Sequence, residues 1–274
     1  MARRYPYASV IDDAKKQLPE WAFEPAFIAG ASAVLAVAGT LGAARGYRRW
    51  FKRIPNADSV TGSIIEKQPF IKGVVTRVGD GDGFRLYHTP GPFWRWPLKF
   101  RRVPTGVKDL KNQTLSIRIA GVDAPEMAHF GNPAQPHAKE SFDWLVKEVT
   151  GKVVRCQLLR KDQYNRIVGL PYIHRTILPD KPLPLMMLKE GMAVVYTQGG
   201  SEYGPWGLEK MQRLEDEAKR AKRGMWASRN VQLPSDYKKR VKEGETPIVE
   251  TKSSKKSAEP GFFEKLGRWL GSKT

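Results

Sequence analysis

Three short polar segments of the sequence bring acids and arginines together beside turn residues. They are Asp80-Gly81-Asp82, the stretch from Arg118 to Glu126, and the stretch from Asp162 to Arg166. Aspartates flanked by glycine or placed at a strand end supply hard oxygen ligands for Ca²⁺ or a similar ion. A carboxylate can position or deprotonate a water, and two guanidinium groups can bind phosphate oxygens and stabilise the charge that develops there. Together these groups suit hydrolysis of a phosphodiester.

Each segment has a plainer interpretation when it is taken alone. An Asp-Gly pair usually forms a turn, and an arginine on a strand usually makes a surface ion pair. The chemical interpretation rests on the order of the three segments and on their strand-like surroundings. As a set, they predict a single site that holds a cation and a phosphate group.

The first two segments adjoin predicted strands. Residues 71–78 (IKGVVTRV) and 84–88 (FRLYH) have strand composition and flank the turn signal at 79–83, so they predict a hairpin or a bent strand pair. Residues 115–122 (LSIRIAGV) predict a third strand whose apolar residues alternate along one face. Arg118 therefore faces away from the apolar side.

The later elements alternate between helix and strand. Apolar residues at helical spacing predict an amphipathic helix over 137–150, and strand composition returns at 153–159 and 167–173. Two further helices are predicted at 185–189 and 208–223. Because the strands and helices do not form regular βαβ repeats, the pattern predicts an α+β domain built around a small barrel.

In this order, the segments resemble the micrococcal-nuclease (thermonuclease) family, and the resemblance covers about residues 70–228. It implies a five-stranded OB-type β-barrel that carries about three helices. The matching stretches are DGD at Asp80–Asp82, IRIAGVDAPE at Ile117–Glu126, DQYNR at Asp162–Arg166 and KRGMWAS at Lys222–Ser228. The second stretch is the most specific, because it fixes an arginine, an aspartate and a glutamate around one strand end.

The resemblance implies three catalytic residues. Arg118 and Arg166 are similar to the two catalytic arginines of the family, and Glu126 is similar to the glutamate that acts on water. The implied mechanism is a metal-dependent in-line attack, in which the two arginines stabilise the transition state.

The resemblance also implies binding residues. Asp82 and Asp123 are similar to the calcium carboxylates, and Ala124 takes the place of a residue that binds Ca²⁺ through its backbone carbonyl. Tyr164 and Tyr196 are similar to tyrosines beside the second arginine and in the nucleotide site. Nothing resembles a base-reading motif, so we expect sequence-independent binding of DNA and/or RNA.

Two residues depart from the family pattern beside the predicted site. Gly83 stands where a threonine is common, and Asn165 stands where a glycine is common. The insertion at 88–106 and the stretch at 129–141 are similar to the fungal membrane-anchored, mitochondrion-associated probable endonucleases of this family. The insertion mixes aromatic and basic residues, which suits nucleic acid, a membrane surface or internal packing.

The charge balance indicates an anionic partner. The chain of 274 residues contains 47 Lys and Arg against 28 Asp and Glu, a formal net charge of +19. Such a surface suits nucleic acid or an acidic membrane, although a basic structural protein has the same composition. Cys156 is the only cysteine, which excludes an internal disulfide and a cysteine-based zinc site.

The N-terminal part predicts a membrane anchor. Residues 1–25 are polar, and residues 26–44 form a stretch of 19 residues without a charge, which as a helix spans roughly 28 Å. Arginines, lysines and aromatic residues follow, and they form a basic collar and linker over 45–69. This collar favours a single transmembrane helix over a buried soluble helix, with everything after it on the cytosolic or matrix-like side.

The C-terminal part is rich in lysine. Its composition predicts disorder over 229–274, with a possible short amphipathic helix near 262–270. The residues and the family resemblance together predict a membrane-anchored, calcium-dependent endonuclease. The resemblance alone implies a mitochondrial location. Two alternatives stay open, a non-catalytic nucleic-acid-binding scaffold tethered to a membrane and a basic adaptor for anionic lipid.

Overall fold

The computed structural model describes residues 19–92, 94, 99–129, 132–228 and 231–243. Its first long element is helix α1 (Pro25–Trp50), which lies wholly within the described residues and has no buried residue. By length and composition, it is the one described helix apolar enough to cross a membrane, with a mean hydropathy of 1.8. The apolar stretch was predicted to end at residue 44, but the helix continues to Trp50 because the arginines of the collar are good helix formers.

Within the part of the chain that the structure describes, eight strands form the fold. They are β1 (Phe70–Asp80), β2 (Gly83–His88), β3 (Leu115–Ile119), β4 (Val122–Asp123), β5 (Val153–Lys161), β6 (Ile167–Ile173), β7 (Lys181–Pro182) and β8 (Val194–Val195).

The pairing of five of these strands gives the OB-type barrel. β1 pairs antiparallel with both β2 and β5, β2 pairs with β3, and β5 pairs with β6. β3 also pairs with β6, in parallel. Each of the five strands therefore has two hydrogen-bonded neighbours, and the predicted α+β fold with a five-stranded OB-type barrel is confirmed.

The helices cover the barrel and its ends. Longer helices are α4 (Ala138–Val149), α5 (Leu183–Lys189) and α6 (Gly207–Arg220), and the short ones are α2 (Gly62–Ile65) and α3 (Val107–Leu110). Helix α4 buries Leu145 and Val149 completely against the barrel core. Each buried side chain of this kind contributes about 1.5–3 kcal/mol relative to an exposed one, so α4 is held by its apolar stripe.

The core follows the alternation of the strands. Val75, Leu86, Leu115 and Ile117 are fully buried, whereas their strand neighbours Thr76, Arg85 and Ser116 are partly or fully exposed. Cys156 lies in the same core, and burial raises the pKa of its thiol. It is a small apolar core residue rather than a nucleophile.

The collar after helix α1 packs on the barrel. Arg53 donates to the Tyr87 hydroxyl and to Gln113, and the Ile54 N–H donates to His88 Nδ1 at 2.9 Å. In the described part of the 88–106 insertion, the Arg101 guanidinium lies 4.1 Å from the Trp94 ring centroid. The contact between Arg101 and Trp94 shows that the described part of the insertion takes part in internal packing.

One segment corrects the prediction of a disordered tail. Residues Pro234–Lys242 form a helix, α7, which we call the tail helix. Its buried residues are Pro234 and Tyr237, and with Leu233 and Val241 they share helical spacing. Lysine-rich composition hid this apolar stripe. The predicted amphipathic helix near 262–270 lies outside the described residues.

Candidate active site

Strand register brings the first two motifs together. In the pairing of β2 with β3, Arg118 lies opposite Gly83, the residue after Asp82. Arg118 Nη1 lies 3.0 Å from Asp82 Oδ2, and Nη2 lies 3.5 Å from Asp123 Oδ1. One guanidinium group therefore bridges two carboxylates from separate segments of the chain.

The turn at Asp80–Asp82 depends on a glycine. A Cβ atom at Gly81 would lie 2.8 Å from the Ala124 Cβ and 3.3 Å from the Pro125 carbonyl oxygen. Only glycine lets this turn lie so close to the residue that follows Asp123. The close approach places the predicted ligands Asp82, Asp123 and Ala124 in one neighbourhood.

The third motif reaches the site through the parallel pairing of β3 with β6. Ile117 lies opposite Ile167, so Arg166, just before β6, lies beside the strand that carries Arg118. Asp162 holds this arginine: its Oδ1 accepts from the Arg166 N–H at 2.8 Å, and its Oδ2 accepts from Arg166 Nε at 2.8 Å. Arg166 thereby has a fixed direction.

Asn165 explains one departure from the family pattern. Its φ of +60° lies in the left-handed region, which favours glycine and which asparagine tolerates better than most residues. Its Nδ2 also donates to Asp58 Oδ1 at 2.8 Å. The turn therefore keeps the shape that glycine would allow and gains a contact with the linker.

Gly83 is the other departure. A Cβ there would lie 2.7 Å from Asp80 Oδ1 and 3.2 Å from the Ile117 carbonyl oxygen. A threonine at this position would therefore require Asp80 to move. Because Gly83 has no side chain, the Asp80 carboxylate can occupy the space where a Cβ atom would lie.

Each arginine has a tyrosine beside it. The Arg118 guanidinium carbon lies 5.4 Å from the Tyr196 ring centroid, and the Arg166 carbon lies 5.4 Å from the Tyr164 ring centroid. Tyr164 is 70% exposed, so its ring face is available to a base or sugar. Tyr164 thus lies next to Arg166, the arginine beside which the resemblance placed it, and Tyr196, which the resemblance placed in the nucleotide site, lies next to Arg118.

Glu126 is held by its backbone. Its N–H donates to Gln135 Oε1 at 3.1 Å, and its carbonyl accepts from the Gln135 N–H at 2.9 Å. Gln135 is only 3% exposed. The Glu126 side chain is partly exposed and points to a residue that the sequence did not single out.

That residue is Lys238 of the tail helix. Lys238 Nζ lies 2.7 and 2.9 Å from the two carboxylate oxygens of Asp123 and 3.0 Å from Glu126 Oε1. The helical spacing of apolar residues over 233–241 is the signal that would have placed a helix here. Nothing in the sequence indicated where that helix docks.

Burial and charge shift the pKa values of this cluster. Burial, reinforced by Asp80, raises the pKa of Asp82 to about 6, against the opposing effect of Arg118. Burial also raises the pKa of Asp123, although Lys238 opposes the shift. For Lys238, burial favours a lower pKa, but Asp123 and Glu126 outweigh it and the pKa is raised. The lysine is therefore charged at neutral pH.

The donor set fits a hard cation. Within the described residues, Asp80 Oδ1 is buried without a hydrogen-bond partner, and it neighbours Asp82. The same part of the chain contains no ready group of three or more His, Cys, Asp or Glu side chains around one cation position. Lys238 and Arg118 lie between the carboxylates instead. Carboxylate oxygens are the ligands that Ca²⁺ prefers, whereas the positive charges of Lys238 and Arg118 among them oppose its binding.

Comparisons with known proteins identify the family of this chain. The profile of a family described as "Staphylococcal nuclease homologue" matches residues 116–228, from the start of β3 to the end of the KRGMWAS stretch. "Probable endonuclease LCL3" of Schizophyllum commune is 46% identical over 244 residues, which cover 85% of this chain and 83% of that protein. The chain belongs to the staphylococcal nuclease homologue family. The family predicted from the three motifs is thereby confirmed.

Other relatives carry the same name. "Probable endonuclease LCL3" of Arthroderma otae is 44% identical, over 76% of this chain and 75% of that protein. "Probable endonuclease lcl3" of Aspergillus flavus is 44% identical, over 74% of this chain and 78% of that protein. As a member of this nuclease family, the protein is a hydrolase that acts on phosphodiester bonds.

Proposed function

We propose that the protein is a calcium-dependent endonuclease, anchored in a membrane by α1, which cleaves DNA and/or RNA without sequence preference. The observation that carries this proposal is the Arg118 guanidinium, which bridges Asp82 and Asp123 at 3.0 and 3.5 Å. It brings a phosphate-binding group and two candidate metal ligands to one place. The names of the relatives support the endonuclease assignment.

The proposed reaction is hydrolysis by in-line attack of water on phosphorus. Glu126 positions the water and takes its proton as the water oxygen forms its bond to phosphorus. The P–O ester bond opposite the attacking oxygen breaks, and the leaving oxygen takes a proton from solvent. Arg118 and Arg166 donate to the phosphate oxygens on which negative charge grows. When bound, Ca²⁺ supplies further positive charge to the phosphate, held by the Asp82 and Asp123 carboxylates and the Ala124 carbonyl.

Other residues keep these groups in place. Asp162 fixes the direction of Arg166 through two hydrogen bonds at 2.8 Å. Arg166 therefore loses little conformational freedom when a phosphate binds. Gln135 holds the backbone of Glu126. Tyr164 and Tyr196 offer ring faces for stacking, which is tolerant of base identity.

The substrate and location follow from charge and from α1. A net charge of +19 attracts the nucleic acid backbone and makes binding strongly dependent on salt. The 26-residue helix α1 spans the membrane, and its basic end faces the same side as the barrel. We assign this membrane to mitochondria on the resemblance described above.

A cleavage assay with the full chain in detergent tests this proposal. Circular plasmid DNA and circular RNA are incubated with Ca²⁺ or with a chelator, because a closed circle is cut only by an endonuclease. We expect cleavage with Ca²⁺ alone. Glu126→Gln and Arg166→Lys should each abolish most of it, while the exposed Glu66→Gln should match the wild type. Cleavage in the chelator, or full activity of Glu126→Gln, would contradict the mechanism.

A second candidate is a membrane-tethered module that binds nucleic acid without cutting it. The observation in its favour is the pairing of both Asp123 and Glu126 with Lys238, which neutralises the acids. Binding of the circular substrates without cleavage, at every Ca²⁺ concentration, would favour this candidate.

A further inference from the structure

We propose that the tail helix is an autoinhibitory element, in which the Lys238 ammonium pairs with Asp123 and Glu126 and must leave before a divalent cation binds at Asp123. This inference rests on the proposed function, because it concerns the same cation site. It assigns a role to a segment whose composition alone predicted disorder.

The ammonium group of Lys238 is surrounded by carboxylate oxygens. A lysine carries three N–H donors, and Lys238 has three carboxylate oxygens within 3.0 Å. Calcium binds oxygen ligands at about 2.3–2.6 Å. A calcium ion held through Asp123 would compete with the ammonium for the same carboxylate oxygens and be repelled by its charge. The lysine and the divalent cation therefore exclude each other.

Residues of the tail also line the cleft beside the site. A cavity of about 480 Å³ adjoins Asp123 and is lined by Tyr196 and Lys219 from the domain. Leu233 and Ser235 of the tail segment form another part of its wall. Departure of the tail would thus free the acids and widen the cleft next to a predicted substrate-binding tyrosine.

Two hydrogen bonds hold the tail on the domain. The Tyr237 hydroxyl donates to the Pro133 carbonyl at 2.6 Å, and the Tyr237 side chain is 5% exposed. Gln135, which holds the Glu126 backbone, also donates from Nε2 to the Gln232 carbonyl. The tail is therefore docked on the stretch that positions the proposed catalytic glutamate.

The docking surface is small enough to be reversible. Of the helix residues, only Pro234 and Tyr237 are buried among those whose burial the structure describes, while Ser235, Asp236 and Lys239 are exposed. A peripheral segment with so few buried contacts opens at a low free-energy cost compared with the barrel core. A ligand that favours the undocked state can therefore shift this equilibrium.

The affinity for Ca²⁺ tests the inference, with the full chain in detergent and isothermal titration calorimetry as the measurement. Lys238→Met keeps the length of the side chain and removes its charge, and Lys239→Met is the matched control on the exposed side of the same helix. If the open state is about one-tenth populated in the wild type, Lys238→Met should bind Ca²⁺ about tenfold more tightly. Lys239→Met should bind like the wild type.

A second readout follows the tail itself and does not depend on cleavage of nucleic acid. Trypsin cuts after Lys238, Lys239 and Arg240 only when the helix is undocked. In the wild type, Ca²⁺ should speed this cleavage several-fold. Tyr237→Phe removes the hydrogen bond to Pro133 and keeps Lys238, so it should raise both the rate of tail cleavage and the affinity for Ca²⁺.

The possible failures are distinguishable. Equal Ca²⁺ affinity of the wild type and Lys238→Met, with Tm values that match, would overturn autoinhibition and leave the calcium site in place. Weaker binding by Lys238→Met, or tail cleavage that ignores Ca²⁺, would overturn it as well. Absence of Ca²⁺ binding in every variant would overturn both this inference and the calcium dependence of the proposed function.

Discussion

Arg118 of β3 and Asp82, in the turn between β1 and β2, form an ion pair at 3.0 Å, and both side chains are largely buried. Burial favours a lower pKa for Arg118, but Asp82 and Asp123 outweigh it and the pKa is raised. The guanidinium is thus held, charged and directed, before any substrate arrives. Arg118 therefore has two proposed roles: it positions the two carboxylates, and it binds a phosphate group of the substrate.

These two roles predict how Arg118→Lys changes the rate of cleavage. Lysine keeps the charge but loses the planar fork that reaches Asp82 and Asp123 together. We expect kcat to fall about 100- to 1,000-fold, as when one transition-state donor is removed, with a smaller change in KM. Steady-state kinetics on plasmid DNA measure this. Arg85→Lys, on the exposed face of β2, is the control and should leave kcat unchanged.

Gly81→Ala tests the close approach of the first turn to Ala124. The new methyl group would lie 2.8 Å from the Ala124 Cβ, so the turn must shift and take Asp82 with it. We expect activity to fall at least tenfold and the free energy of unfolding to fall by about 1–3 kcal/mol, as for overpacked sites. Activity assays and urea unfolding measure the two effects.

Gly79→Ala is the matched control for that variant. A Cβ at Gly79 has its nearest neighbour at 4.0 Å, so the alanine fits. Its free energy of unfolding should stay within about 0.5 kcal/mol of the wild type. Equal losses in both variants would show that the cause is chain stiffness and not the contact with Ala124.

Local patterns in the sequence predicted most of the barrel. Strand composition predicts β1 and β2. Alternating apolar residues predict β3, because a strand with one buried face has period two. The glycine-rich stretch between β1 and β2 predicts their turn. In the same way, the spacing of Leu145 and Val149 predicts helix α4. These signals are local, so they survive without knowledge of the fold.

The site itself depends on contacts that no local pattern encodes. Arg118 and Arg166 approach one another because β3 and β6 pair in parallel, and the two strands are far apart in the chain. The family resemblance supplied their common role, but residue spacing alone did not. Lys238 was missed for a related reason: average composition predicts disorder, whereas docking depends on single buried residues such as Tyr237.

Asn165 provides a test of backbone strain in the turn before Arg166. In Asn165→Ala the backbone keeps φ near +60°, which alanine tolerates less well than asparagine, and the hydrogen bond to Asp58 is lost. We expect the free energy of unfolding to fall by about 1 kcal/mol. Asn165→Gly should recover most of this loss because glycine adopts positive φ freely. Urea unfolding compares the three proteins. A glycine variant as unstable as the alanine variant would assign the effect to the Asp58 bond.

His88 predicts how stability depends on pH. Burial, with the nearby charges of Arg53 and Arg101, lowers its pKa from 6.5 to about 4. The unfolded chain therefore takes up a proton at higher pH than the folded one. The contribution of His88 is complete above pH 6.5 and is lost as the pH falls towards 4. The full loss is about 3 kcal/mol.

His88→Asn tests this prediction, because the asparagine Oδ1 can accept from the Ile54 N–H in place of Nδ1, yet it does not titrate. Urea unfolding of the full chain in detergent, followed by tryptophan fluorescence between pH 4 and 7, measures the free energy of unfolding. The variant should lose less stability than the wild type as the pH falls from 6.5 to 4. Parallel curves for the two proteins would mean that another group causes the acid sensitivity.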